Sequence, residues 1–489
     1  MKRSLKKKLG KGGWALALSV VAIAVGSIVL MRAPGHAAPR TGFGGIPVTD
    51  PDPGDVSVVQ NGPTQLALSG PLLDGHFAIS QGAVLANGTR RLLAELRLTA
   101  ADAPGAAQRQ PVALAVVLDV SGSMHGDKIA QAKNAVRQLV ERMRDEDQVA
   151  LITYDHETYV IQPLARVGAV RSELMRRISA IQPGGGTVIP QALLAGSQAL
   201  EGAPGNLVRR MVLLSDGLDG SGKTVEMVTR EIRGRAHRGL ATSSLGIGTD
   251  YDERFMTSVA DAGRGNYEFL ADGAQLQTFL RRELDQASST VVDNVAVLVT
   301  LPDGVRVAKV HGAEGNGTTG QVRVPFGAIP AGDSRRAVIE LEIAAGAPGV
   351  LGRLAATVDY RTVADREFHQ IADANLALHV VSDEAQVAAT RNESVYADSW
   401  AVVIDAEQRA AVDLWRSGDT AQAQQVARNN VARLRQVQAA APSAAPRLEG
   451  IVAEAEADEA QFEALSPSSA AGRGFGLGSN ARRRSRIAY

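Results

Sequence analysis

The stretch VALAVVLDVSGSM, Val112 to Met124, decides how this chain reads. Its first seven residues are apolar, the length and character of a strand buried on both faces. The run stops at Asp119, and Ser121 and Ser123 follow in a D-x-S-x-S pattern. At the end of a strand in an open parallel sheet, these three polar side chains stand in the crevice where such folds bind ligands.

Working outward, the apolar runs QVALITY, MVLLS and ATSSLGIG repeat the strand signal, with helical segments between them. In KIAQAKNAVRQLVERM, residues Ile129, Ala132, Val136, Leu139, Val140 and Met143 share one helical face and Lys and Arg the other. Alternating strands and helices over residues 111–285 predict an α/β domain with a doubly wound, mostly parallel sheet. On either side the period falls to two. In LLAELRLTA, Ala94, Leu96 and Leu98 alternate with Glu95 and Arg97, and in VIELEI, Ile339, Leu341 and Ile343 alternate with Glu340 and Glu342. Residues 64–105 and 290–382 therefore read as two parts of one β-sandwich, split by the inserted α/β domain. Residues 384–465 follow a helical pattern broken at RSGDT. Residues 466–489, rich in Gly, Ser and Arg, read as a disordered basic tail.

A length of 489 residues with 45% hydrophobic side chains calls for two or three folded domains. The net charge of zero conceals an asymmetry: residues 1–32 carry seven Lys/Arg and residues 466–489 carry five, with no acid in either. The remainder holds 40 basic against 52 acidic side chains. An acidic body repels phosphate backbones, so nucleic acid is not an expected partner. The basic start MKRSLKKKLGKGG, followed by eighteen uninterrupted apolar residues, reads as an export signal, either retained as a membrane anchor or cleaved near Ala38. Both outcomes place the body outside the cytoplasm, in a bacterial-type cell envelope or the periplasm. Residues 33–63, dense in Pro and Gly, read as a linker. With no cysteine, neither a disulfide nor a thiolate zinc site exists.

Two further stretches extend the first motif. PGGGTVIPQAL supplies a Gly-rich loop with Thr187, and LLSDG ends a strand on Asp216. With Asp119, Ser121 and Ser123 these resemble, in order and rough spacing, the metal-ion-dependent adhesion site of the von Willebrand factor type A family. GIGTDYDERFMTSVADAGRGNYEFL is similar to bacterial members related to calcium-activated chloride channels and inter-alpha-trypsin-inhibitor heavy chains. The resemblance covers about residues 90–380. It implies that Ser121 and Ser123 bind Mg²⁺ directly, Thr187 directly or through water, and Asp119 and Asp216 largely through water. Mn²⁺ and Ca²⁺ are the alternative ions. Mg²⁺ takes six oxygens near octahedral geometry. Neutral hydroxyls leave its charge incompletely screened, so a Glu or Asp of a partner protein can take the open position. That makes a binding protein rather than an enzyme.

A competing motif overlaps this one. Gly217, Gly222, Lys223 and Thr224 match the phosphate-binding pattern G-x-x-x-x-G-K-[ST], between a strand and a helix as that motif requires. Against it, enzymes of that class place the strand ending in a metal-binding Asp after the phosphate loop, whereas Asp119 comes about a hundred residues before it. A nucleotide-hydrolysing enzyme and a metal-free envelope scaffold stay as alternative readings. HETYV fails as a zinc-protease motif, because Val160 stands where the second His is needed. His125 and His156 read as solvated loop residues.

Overall fold

A computed structural model describes residues 62–102, 109–271, 275–318 and 320–488. The predicted export segment 1–32, and all but the last two residues of the predicted linker 33–63, lie outside these. Four strands come first: β1 (Gln65–Gly70), β2 (Leu73–Ile79), β3 (Ala83–Leu85) and β4 (Gly88–Ala100). The α/β domain then runs β5 (Val112–Asp119), α1 (Asp127–Arg142), β6 (Gln148–Tyr154), β7 (Thr158–Arg166), α2 (Val167–Ala180), α3 (Ile189–Glu201), β8 (Val208–Ser215), α4 (Val225–Ala236), β9 (Leu240–Ile247), α5 (Glu253–Ala262), β10 (Arg264–Leu270) and α6 (Leu276–Ser288). Seven strands follow, β11 (Thr290–Thr300), β12 (Val305–His311), β13 (Asn316–Thr318), β14 (Gln321–Pro330), β15 (Ser334–Ala345), β16 (Gly349–Thr362) and β17 (Phe368–Val381). Five helices complete the described chain: α7 (Glu384–Ala389), α8 (Glu393–Arg416), α9 (Thr420–Ala440), α10 (Ala445–Ala464) and α11 (Ala470–Ala488).

In the α/β domain the strand order is β10-β9-β8-β5-β6-β7. All neighbours are parallel except β7, which pairs antiparallel with β6. β5 is buried along its whole length because helices cover both faces. Leu114, Val116 and Leu118 pack with α1 and α6, while Ala113, Ala115 and Val117 pack with α3 and α5. The chain moves to one side of β5 through β6 and to the other through β8. The switch point of the sheet therefore lies between the carboxyl ends of β5 and β8, where Asp119 and Ser215 stand.

The sandwich consists of one sheet ordered β1-β2-β4-β15-β12 and another ordered β13-β14-β11-β16-β17-β3. Each contains strands from before and after the α/β domain. β4 and β15 pair antiparallel from Gly88 opposite Ala345 to Thr99 opposite Ser334. Leu96, Val297, Leu341 and Val358 meet between the sheets, each such side chain contributing roughly 1.5–3 kcal/mol by leaving water. The alternate residues of β4 and β15, which read as a polar outer face, are also covered. Leu93 and Val338 pack against Val402 and Val403 of α8 and Ile487 of α11. Glu95 and Glu340 are buried there, hydrogen-bonded to His76 at 2.9 Å and His311 at 2.6 Å.

The tail that reads as disordered is the helix α11, which corrects the sequence expectation. No apolar period marks it, and Gly474, Gly476 and Gly478 lower its intrinsic helicity. Tertiary contacts hold it instead. Arg483 is fully buried, with Nη1 2.6 Å from Asp405 Oδ1 and Nη2 2.9 Å from Asp458 Oδ2. Arg486 reaches Asp405 and Glu454, Arg484 pairs with Asp261 of α5, and Leu477 enters the core of the α/β domain. Among the described residues no helix is long and apolar enough to cross a membrane.

Removing one partner of a buried ion pair strands the others without water or counter-charge. Arg483→Ala is expected to cost about 3–5 kcal/mol, read by urea denaturation, and to open residues 466–489 to protease. Arg482→Ala, at a largely exposed position, is expected to change stability by less than about 0.5 kcal/mol.

Candidate metal centre

Asp119 is the last residue of β5, and Ser121 and Ser123 lie in the tight turn that follows, whose residues Gly122–Met124 form one 3-10 turn. The Asp119 carboxylate organises that turn: Oδ1 accepts from Ser121 N at 2.8 Å and Oδ2 accepts from Ser215 Oγ at 2.7 Å. Asp216, next after β8, accepts from Ser123 Oγ at 2.7 Å, and the two serine hydroxyls are 3.1 Å apart. Both carboxylates are essentially inaccessible, at 0% and 1% exposure, whereas Ser123 faces outward.

Thr187 arrives from the loop between α2 and α3. Gly122 N donates to Gly185 O, Gly184 N to Val120 O and Gly220 N to Thr187 O, at 3.0, 2.7 and 2.8 Å, so three loops are bonded into one floor. A Cβ on Gly217 would lie 3.0 Å from Thr187 Oγ1 and 3.6 Å from Ser123 Oγ, so any side chain there fills the space between the hydroxyls. The fold brings together all five residues singled out in the sequence.

Burial pushes the Asp119 carboxyl above its ordinary range, the hydrogen bonds from Ser121 and Ser215 oppose this, and the Asp216 charge adds to it. Beneath, the buried Tyr154 phenol is raised well above its ordinary value, by burial first and then by Asp119, and donates to Leu214 O at 3.1 Å. Two carboxylates so buried form a site short of positive charge. Lys128 supplies part of it, with Nζ 2.5 Å from Asp216 Oδ2. Helical periodicity assigned the lysines of α1 to the solvent face, but Lys128 is in the first turn, where the chain still faces the crevice. Its spacing from the serine motif is the one signal that marks it. Five oxygen-bearing side chains, two of them anionic, and a space that a single Cβ would fill suit a small hard cation with its waters. Among the described residues no cluster of three or more His, Cys, Asp or Glu offers an alternative metal site.

The competing phosphate motif is built differently. Ser215 ends β8, and the loop before α4 folds back on the Thr187 loop. Asp219 Oδ1 accepts from Ile189 N at 3.0 Å, Lys223 N donates to Ser221 Oγ at 3.2 Å, and Thr224 caps α4. These donors serve the loop itself instead of converging on one centre, and the Asp219 carboxylate sits within it. His156 lies at the rim beside Asp155, largely exposed, and His125 contacts Gly122 O at 2.8 Å.

A doubly wound sheet with these oxygen-bearing side chains at its switch point defines an open α/β domain with its candidate site where such folds bind ligands. Residues 113–282, about a third of the chain, match the family model of the von Willebrand factor type A domain. It is 29% identical over 189 residues to the uncharacterized protein YfbK of Escherichia coli, a match covering 37% of this chain and 32% of that protein. It is 28% identical over 194 residues to inter-alpha-trypsin inhibitor heavy chain H2 of Mesocricetus auratus, covering 38% of this chain and 20% of the other. Both matches thus span a third or less of the relative. The structure of VWA2, an ArnB paralog from Sulfolobus acidocaldarius, superposes with a TM-score of 0.58 at 15% identity, covering 85% of this chain and 99% of that one. At that identity the likeness shows the fold alone.

The raised Asp119 carboxyl carries a signed pH dependence. The folded chain holds this proton more tightly than the unfolded one, so stability falls as pH rises from the ordinary carboxyl range through the raised folded value. In EDTA, Asp119→Asn is expected to raise the urea midpoint at pH 7 and to lack this part of the decline. Equal or lower stability of the variant across pH 4–8 would contradict the assignment of charge stress to Asp119.

Proposed function

We propose that this is an extracytoplasmic protein-binding protein whose site captures a carboxylate of a partner protein through a bound Mg²⁺. Von Willebrand A domains commonly bind protein partners and commonly hold a divalent ion. The observation that carries the reading is the convergence of Ser121, Ser123 and Thr187 with two buried carboxylates from separate loops. Ser121, Ser123 and Thr187 would hold the ion, with Asp119 and Asp216 beneath. Bound there, the ion supplies a Lewis-acidic position for an incoming Glu or Asp.

The chain's own residues perform the remaining work. Ser215 and the Ser121 amide hold Asp119 in one orientation, and Ser123 and Lys128 do the same for Asp216. The Gly-rich loop at 184–186 keeps the approach free of side chains. Counting Asp119, Asp216 and Lys128, the residues beneath the hydroxyls carry a net charge of minus one. A divalent ion reverses the sign, and one partner carboxylate returns it to neutrality. This arithmetic favours a single acidic side chain from the partner and disfavours a second. The extracytoplasmic location rests on the basic and apolar segment within residues 1–32.

Calorimetry with Mg²⁺ is expected to show one site in the wild type, weakened at least about tenfold in Asp119→Ala and in Ser121→Ala, a loss of roughly 1.4 kcal/mol or more. Partner capture from envelope extract is expected in Mg²⁺ or Mn²⁺ and absent in EDTA; capture that persists in both EDTA and Asp119→Ala would replace this mechanism with a metal-free scaffold. For the location, a reporter active only in the periplasm, fused after residue 60, is expected to give signal. Activity of a cytoplasm-only reporter alone would overturn it.

A further inference from the structure

The opposite end of the α/β sheet meets the sandwich around a cleft of about 170 Å³ that is open to solvent on the side of Arg238 and Arg366, the space of roughly five waters at about 30 Å³ each. Six arginines line it: Arg209 and Arg210 at the start of β8, Arg238 after α4, Arg264 at the start of β10, Arg361 on β16, and Arg366 in the turn before β17. The acidic side chain among the lining residues is Asp293, and Arg361 holds it with both guanidinium arms, at 2.8 Å and 2.5 Å. Arg210 turns away to the buried Glu283 at 3.0 Å, and Arg238 to Glu201 at 3.2 Å. Arg209, Arg264 and Arg366 have no ion-pair partner among the described residues. Three of the six positive charges are thus matched by acids and three are left over. Arg209 registers this excess, since its guanidinium is pushed below its ordinary range by burial first and then by the Arg361 and Arg238 charges.

A second, independent feature converges on the same place. Among the described residues five non-glycine positions have positive φ, and three of them line this cavity: Arg264 at 52°, Asn294 at 53° and Arg366 at 63°. Such conformations are costly and persist where the surroundings enforce them, which is often at binding sites. The strands break register here too, in β11 between Val292 and Ala296 and in β10 between Arg264 and Tyr267. Bulges of this kind re-aim side chains. A Cβ on Gly239 would lie 3.7 Å from Arg209 Nη2, which also donates to Arg238 O, and 3.9 Å from Asn294 Oδ1, so both side chains border the same bare glycine. Across the cavity, a Cβ on Gly205 would lie 2.9 Å from Arg366 Nη1.

We propose that this cavity binds one tetrahedral oxyanion of the phosphate class, held by Arg209 and Arg366 with Asn294 donating an amide hydrogen. Planar guanidinium forks give two parallel hydrogen bonds to such an anion, and the cleft's volume suits a compact ion and part of its hydration. The site is at the amino ends of the strands, away from Asp119 and Asp216, and does not depend on the metal centre. One ligand chemistry covers two sources, free phosphate and the head of a small phosphomonoester.

The test is titration calorimetry of the full chain with inorganic phosphate and, separately, glycerol 3-phosphate, at an ionic strength held constant with chloride. One saturable site is expected for phosphate. Arg209→Gln and Arg366→Gln are each expected to weaken it at least about tenfold, the loss of a hydrogen bond to a charged group, and Arg306→Gln, an exposed residue of β12, to leave it unchanged. Arg366 is exposed and without an ion-pair partner, so its variant keeps the fold if Arg209→Gln does not. Equal affinity for glycerol 3-phosphate identifies a phosphomonoester source, and binding of phosphate alone identifies the free ion; both support the site. Heat no different from chloride, or unchanged affinity in Arg366→Gln, overturns it.

Discussion

Twelve consecutive residue pairs join β4 to β15, and the rest of the architecture depends on that ladder. It ties a strand that precedes the α/β domain to one that follows it, so both ends of the insertion return to the same sandwich. The two ends of the insertion also meet each other, where Gln110 N donates to Ser288 O at 2.7 Å. The helices α8 and α11 then settle on the outer face of that sheet. What looks like three modules in sequence is one body closed by non-local hydrogen bonds.

At the switch point the governing balance is between burial and charge. Two carboxylates are withdrawn from water by the close packing of β5 and β8, and for Asp119 burial disfavours the ionised form. The protein compensates with hydroxyl and amide donors from the turn after β5 and from the end of β8, and with one ammonium from α1. At the far end of the same sheet the imbalance is reversed, with arginines outnumbering acids. An overall neutral composition thus conceals a domain polarised along its strands.

Much of this was legible in the chain. The seven apolar residues before Asp119 have the length and character of a strand buried on both faces, and the period of two in LLAELRLTA and VIELEI marked sandwich strands on either side of the insertion. The three separated motifs gave five site residues because strand ends in a parallel sheet converge without regard to sequence distance. Lys128 escaped because a helical face predicts burial and not which end of the helix meets a crevice. Glu95 and Glu340 alternate as exposed residues do, yet helices from much later in the chain cover them. α11 was invisible for the same reason, since Arg483 is held by Asp405 and Asp458, and no local pattern encodes partners that far away.

The insertion also sets a timetable. The contacts that close the α/β domain lie within residues 112–288, but β4 waits for residues 334–345, more than two hundred positions later. At roughly 5–20 residues per second of synthesis, that interval is about ten to fifty seconds. During it the first strands of the sandwich have an unpaired edge and an apolar face, the conditions under which nascent chains associate with one another. The charges of GTRRLLAELRLTA, at Arg90, Arg91, Glu95 and Arg97, interrupt that apolar surface. Two of them, Arg90 and Arg91, directly precede its longest apolar run, the position of residues that keep a waiting strand from pairing with the wrong neighbour.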